Sequence, residues 1–237
     1  MSALMSRDDV RAKLLDGTFA LDSGSHEPSD GEFCVMEAVA YIQGEEWSDA
    51  PKCVCPVIST FLRAWNDGLP DDATRTRLLA PLALLCVGTR STAGVKLKRS
   101  WMAFDWLVRE CAAEFLSLTE ALKPHADALR ALAPIDATNF DMVVPIFKAA
   151  DSAVRSAAYS AAYSAARSAA YSAADSAALS AADSAARSAA RSAALSAADS
   201  AVRSAADSAA YAALQPSVER LQSSATEIIK RMCAVTA

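Results

Sequence analysis

Basic charge is in short supply in this 237-residue chain: 23 Lys and Arg stand against 28 Asp and Glu, for a net charge of −5. Nucleic-acid binders neutralise phosphates with a basic surplus, so that class of partner is not expected. Only Lys96, Lys98 and Arg99 cluster, and they read as the wet face of a helix. Histidine is scarcer still, with His26 and His125 alone, and neither stands beside a serine or cysteine in a nucleophile motif. A P-loop, a dinucleotide glycine fingerprint, HExxH and GxSxG are all missing. The reading is therefore non-enzymatic, with no catalytic residue, no cofactor and no metal ligand assigned.

Long apolar runs are also missing. The strongest, residues 78–87, contains Pro81 and is too short to span a bilayer. The first 20 residues lack the continuous apolar stretch of a secretory signal. The six cysteines (34, 53, 55, 86, 111 and 233) follow no disulfide spacing. Together these features predict a cytoplasmic protein with reduced thiols and no membrane partner.

Period-two alternation of apolar residues is absent, and the chain reads as all-α. Helices are expected over residues 1–15, 33–43, 56–66, 72–87 (kinked at Pro81), 95–118 and 124–132. Pro56 suits the first position of its helix, where a missing N–H costs nothing, and Asp71 or Asp72 suits a cap. Within 95–118 the spacing of Leu97, Trp101, Phe104, Val108, Cys111, Phe115 and Leu118 predicts one apolar seam. Residues 16–31 collect Gly17, Ser23, Gly24, Ser25, Pro28, Ser29 and Gly31, which predicts a flexible arm. Residues 136–145 read as a loop with one helical turn.

What the chain has in quantity is one four-residue word. Serine occupies position 152 and every fourth position to 208, mostly followed by two alanines and a variable residue. No Gly or Pro interrupts residues 151–214. Alanine is the best helix former and serine costs about 0.5 kcal/mol more, so the tract is expected to be helical rather than silk-like. An unbroken helix of this length would reach about 90 Å. Four residues advance about 400°, so each serine turns about 40° from the last and the stripe circles the helix. Tyr159, Tyr163, Tyr171, Leu179, Leu195 and Tyr211 then point in many directions. A flat ice-binding face does not fit that geometry; a solvated spacer and a packing surface both do. Five Asp and five Arg fill variable slots, and Asp151 with Arg155, like Asp183 with Arg187, is an i,i+4 pair. After the tract and a break or kink at Pro216, residues Val218, Leu221, Ala225, Ile228, Met232 and Val235 form a second seam.

The expected organisation is a helix and flexible arm (1–31), a helical domain (32–148), the tetrapeptide array (149–214) and an amphipathic closing helix (215–237). The expected role is a structural or interaction protein, with the array as spacer or assembly surface. Its partner would be a second copy or another protein, met through the array or the closing helix.

The alternative is a small-ligand or metal-binding module around Cys34, Cys53, Cys55 and Trp47, with Glu37 or Asp49 completing a thiolate set. Against it, Cys53-Val-Cys55 is not a CxxC pair, and buried thiols also act as small apolar side chains. Glu45, Glu46, Asp49, Asp71 and Asp72 read as solvated caps. The four tryptophans, at 47, 65, 101 and 106, read as core or core-edge residues.

The run from Cys34 through Tyr41-Ile-Gln-Gly-Glu-Glu-Trp-Ser-Asp49, with Cys53-Val-Cys-Pro-Val-Ile58, resembles a family of actinobacterial and phage proteins. So do Trp65-Asn-Asp-Gly-Leu-Pro-Asp-Asp72 and Arg77-Leu-Leu-Ala-Pro-Leu82. That family carries an alanine-rich tract and a closing helix, with Trp, Asp or Arg in variable slots where this chain also uses Tyr. The resemblance implies a bacterial or phage setting, in which the ligand-binding alternative would be an inhibitor of host defence. It brings no activity, so no functional residue is carried over.

Overall fold

A computed structural model of the protein describes residues 5–146, 148–156 and 214–236. The tetrapeptide tract from 157 to 213, including the Asp183–Arg187 pair, lies outside the described residues. The protein is all-α, and no strand occurs among the described residues. No described helix is long and apolar enough to cross a membrane.

The chain divides into two compact units. The larger contains Met1–Cys111, Leu132–Asp141 and Leu221–Ala237; the smaller contains Ala112–Ala131 and Met142–Arg220.

In the larger unit, helix α1 (Arg7–Asp16) starts where Ser6 Oγ accepts the Asp9 N–H and stops at Gly17. Gly17 has φ 74°, the left-handed conformation that lets the chain turn off a helix without a Cβ clash. Helix α2 (Val35–Ile42) is capped by Cys34 and buried on nearly every side. Helix α3 (Pro56–Gly68) opens on Pro56, as its sequence predicts. Helix α4 (Asp72–Leu85) is capped by Asp71 and runs through Pro81 as one element. Helix α5 (Ala93–Trp106) is capped by Thr92.

The core gathers Val10, Leu14, Phe19 and Leu21 with the apolar faces of α2, α3 and α4. The expected flexible arm is thus held in part by burial: Phe19 packs edge-on against Phe33 at 5.2 Å, and Leu21 is 1% exposed. Two apolar side chains outweigh the turn-forming residues around them, since each contributes about 1.5–3 kcal/mol when buried.

The same core is completed by residues from beyond the tract. A helix over 214–234 places Ile228, Ile229 and Met232 at 3%, 0% and 0% exposure in it. Of the expected closing seam, Ala225, Ile228 and Met232 are buried, but Val218 is exposed. The helix includes Pro216 without a break among the described residues.

The expected seam of 95–118 is corrected. A π-helical turn, Leu107–Ala112, follows α5 and precedes the short helix α6 (Ala113–Ser117). Its i→i+5 bonding shifts the register that a 3.6-residue period assumes. Phe115 and Leu118, beyond that turn, are exposed while Val108, Ala113 and Leu116 are buried; before it, on α5, Leu97 is exposed and the buried face is that of Val95 and Arg99.

The smaller unit contains α6, a 3-10 turn (Glu120–Leu122), helix α7 (Lys123–Arg130) and helical residues 142–146 and 148–156. The expected loop at 136–145 is helical from residue 140. The pair expected at the start of the tract is present, with Arg155 Nε 3.0 Å from Asp151 Oδ2.

Candidate functional site

The largest concentration of buried polar chemistry lies in the larger unit, where the 17–34 segment meets α2. Cys34 and Glu37 form a reciprocal cap: the Cys34 Sγ accepts the Glu37 N–H, and Glu37 Oε2 accepts the Cys34 N–H at 2.8 Å. A capping box explains a glutamate three residues into a helix. It does not explain why that glutamate is 1% exposed. Glu37 also accepts the His26 N–H through Oε1 at 2.8 Å, and its Oε2 lies 2.8 Å from His26 Nδ1. These two contacts fix the imidazole in one orientation.

The other ring nitrogen, Nε2, faces Glu32 Oε2 at 3.9 Å. It makes no hydrogen bond among the described residues, although the His26 side chain is only 8% exposed. One ligand atom from each of Asp22, His26 and Glu32 lies within 4.8 Å of the others. The peptide frame is tightly held. Asp22 N–H donates to Phe33 O at 2.9 Å, Asn66 Nδ2 donates to Asp22 O at 2.8 Å, and Trp47 Nε1 donates to His26 O at 2.7 Å. Asn66, fully buried, also accepts the Val35 N–H.

The thiols are arranged differently. Asp22, His26 and Glu32 are the one trio of His, Cys, Asp or Glu at ligand separation among the described residues, so Cys34, Cys53 and Cys55 are not brought together as a set. Burial pushes the Cys34 thiol up to about 12 and the Cys53 and Cys233 thiols up to about 11, and raises Cys86 as well. A buried thiol that resists ionisation is a poor nucleophile at neutral pH. Cys53 sits instead in a backbone clasp, with its N–H on Glu45 Oε1 at 2.8 Å and its carbonyl accepting from Arg90 N. Cys55 N–H donates to Thr89 Oγ1 at 3.0 Å.

Arg99 was expected on a solvated face and is 2% exposed. Its Nε donates to Met232 O at 2.8 Å, its Nη2 to Val235 O at 2.9 Å, and its Nη1 to Thr89 O. Met232 and Val235 lie at the C-terminal end of the closing helix, where carbonyls lack intrahelical partners and the dipole favours a cation. Arg75 does the same for the end of α3, donating to Asn66 O at 2.8 Å and Leu69 O at 3.1 Å. A clue to Arg99 was present in the sequence: it stands four residues after Val95 and three before Met102, on the face that is buried.

The remaining expected residues have structural uses. Trp47 packs on Phe33 at 4.8 Å, Asp49 pairs with Arg63 at 2.9 Å, and Asp71 accepts the Thr74 N–H. Glu45 accepts from Lys52 N and Cys53 N. His125 is half-buried in the first turn of α7. A cleft of about 490 Å³, lined in part by Gly17, Thr18, Asp72 and Arg77, brings no histidine or cysteine to its wall.

Comparison of the chain with protein-family models, with curated proteins and with solved structures finds no match.

Proposed function

We propose that the chain is a non-enzymatic interaction protein in which the Ser/Ala tract connects two parts of one helical core. One observation carries this reading: the core built before the tract is completed by Ile228, Ile229 and Met232, which follow it. A tail or a terminal rod would need only one attachment. A closed excursion needs a return anchor, and Arg99 with its three carbonyl partners supplies one in addition to apolar burial.

The tract brings many small side chains, which let another backbone approach closely, and a sparse set of Tyr, Leu, Asp and Arg at intervals of four. Such a surface offers dispersion contacts and scattered polar anchors rather than reacting groups. Its proposed partner is a second copy of the chain. Sedimentation of the full chain against a variant lacking residues 160–207 tests the assembly. The full chain is expected to form a concentration-dependent oligomer and the shortened chain a monomer. Two monomers at every concentration would refute it.

A further inference from the structure

We propose that Asp22, His26 and Glu32 bind a divalent transition-metal cation, with Glu37 fixing the imidazole from behind. This site is independent of the tract and of any assembly through it.

The histidine is the centre of the case. Its Nδ1 is committed to Glu37 Oε2 at 2.8 Å, which leaves Nε2 as the ring nitrogen turned toward Glu32. That nitrogen belongs to a side chain 92% withdrawn from solvent (8% exposed) and has no hydrogen-bond partner among the described residues. A metal-bound imidazole normally gives its other N–H to a carboxylate or carbonyl, and Glu37 stands in that position.

Charge points the same way. Asp22, Glu32 and Glu37 surround a single imidazole, and no Lys or Arg forms an ion pair with any of the three among the described residues. Like charges held this close favour a cation between them. Ligands bound to one transition metal lie about 3–4 Å apart, since each bond is about 2.0–2.2 Å. The observed separations, 3.9 Å for His26 Nε2 to Glu32 Oε2 and under 4.8 Å for the trio, need a small inward movement. Glu32, 58% exposed, is free to make it. One imidazole and two carboxylates suit Mn²⁺, Fe²⁺ or Zn²⁺ rather than a soft thiophilic ion, and water would complete the shell.

The backbone supports a fixed site. Gly24 and Gly31 turn the chain on either side of His26 with φ 88° and 75°. Gly24 N–H is held by Asp67 Oδ1 at 2.9 Å, and the Asp22 and His26 carbonyls are held by Asn66 and Trp47. A ligand set on a pinned loop loses little entropy when it binds.

The test uses the full chain, stripped with chelator and titrated with Mn²⁺ alone while free Mn²⁺ is read by electron paramagnetic resonance. Mn²⁺ is chosen because thiols compete poorly for it. One Mn²⁺ per chain is expected. Glu32→Gln removes an exposed ligand and should leave the melting curve unchanged while weakening binding about tenfold or more. Asp22→Asn, which keeps the acceptor for Ser23 N–H, should do the same. In parallel, Zn²⁺ alone should shift the His26 Nε2 resonance and leave that of His125 in place. No saturable Mn²⁺ binding below about 1 mM would overturn the proposal. So would equal binding by wild type and both variants, or a zinc response confined to His125.

Discussion

The two units differ in what is inside them. The larger one buries Leu14, Leu21, Met36, Ile58, Leu62, Leu79, Leu82, Ile229 and Met232 to 1% exposure or less, and adds buried Glu37, Asn66, Arg75 and Arg99 that all have partners. The smaller one, among the described residues, buries Leu116, Leu122, Leu129 and Val143 with three alanines (113, 126 and 150). Its signature contact is electrostatic: Glu114 pairs with Arg130 at 2.9 Å and with Arg220. Alanine hides little apolar area, and partly exposed ion pairs contribute about 0–1 kcal/mol. Among the described residues, the first unit is thus built on packing and the second on a thin apolar layer and charge. That contrast explains how one chain joins a well-specified body to a tract of low information.

The largest break in this contrast comes from cutting the chain after Arg220. That removes Ile228, Ile229 and Met232 together with two of the carbonyls bound to Arg99. Three side chains at about 1.5–3 kcal/mol each amount to most of the stability of a typical domain. The larger unit should lose cooperative unfolding, read by tryptophan fluorescence. All four tryptophans lie in that unit, so the signal reports on it alone. A sharp transition in the truncated chain would mean the closing helix is an accessory.

Single substitutions sharpen the same point. Ile229→Ala should cost about 2–5 kcal/mol, the range for emptying a buried aliphatic site. Arg99→Met keeps bulk but removes the donor of the Thr89 and Val235 carbonyls, while Met232 O keeps the Val235 N–H; each unmet buried group costs about 1–3 kcal/mol. Denaturant midpoints measured by fluorescence check both. A loss below about 0.5 kcal/mol for either would show that the closing helix is only loosely seated.

Much of this fold was legible in the sequence, for identifiable reasons. Pro56 at the head of α3, Asp71 before α4 and Gly44 after α2 are local signals that depend on one or two neighbours. The apolar face Ala225-Ile228-Met232 was legible because a regular helix keeps its period. The seam through Leu97 and Phe115 was not: a π-helical turn shifts every position after it, Phe115 included, and before that turn the buried face belongs to Val95 and Arg99 rather than Leu97. Arg99 was read as solvated because charge is normally exposed; what buries it is a set of carbonyls that includes Met232 and Val235, distant in sequence. The sequence drew attention to Cys34, Cys53 and Cys55, whereas Asp22, His26, Glu32 and Glu37 meet only because Phe19 and Leu21 pull the glycine-rich segment onto the core.

The smaller unit should be acid-sensitive through Glu114. The hydrogen bond from Arg220, aided by Ser217 and by the charges of Arg220 and Arg130, holds the Glu114 carboxyl below its ordinary 4.5. A carboxyl depressed in the folded state contributes stability that is present above the unfolded pKa and is lost as pH falls through the folded value. Hydrogen-exchange protection over residues 113–130, taken relative to the intrinsic rate at each pH, should therefore fall below about pH 4.5. Glu114→Gln should flatten that dependence and cost about 1 kcal/mol or less at pH 7. Protection that is insensitive to pH down to 3 would assign the unit's cohesion to Leu116, Leu122 and Leu129 instead.

The smallest effect is expected where the chain changes most. Removing eight repeat words leaves the larger unit with every residue of its core, because its members end at Asp141 and resume at Leu221. Whatever conformation the tract takes, the unit senses it chiefly through the connection it imposes. Closure entropy changes by only about 0.6 kcal/mol for each doubling of a flexible connection, so halving the tract should move the fluorescence midpoint by less than about 1 kcal/mol. A larger loss would mean that the tract contributes contacts to the body as well as spanning its two anchors. In that case the division into a packed unit and a separable excursion fails. An unchanged midpoint with altered sedimentation would separate the two roles, with stability held by Arg99 and Ile229 and assembly held by the serines and alanines between them.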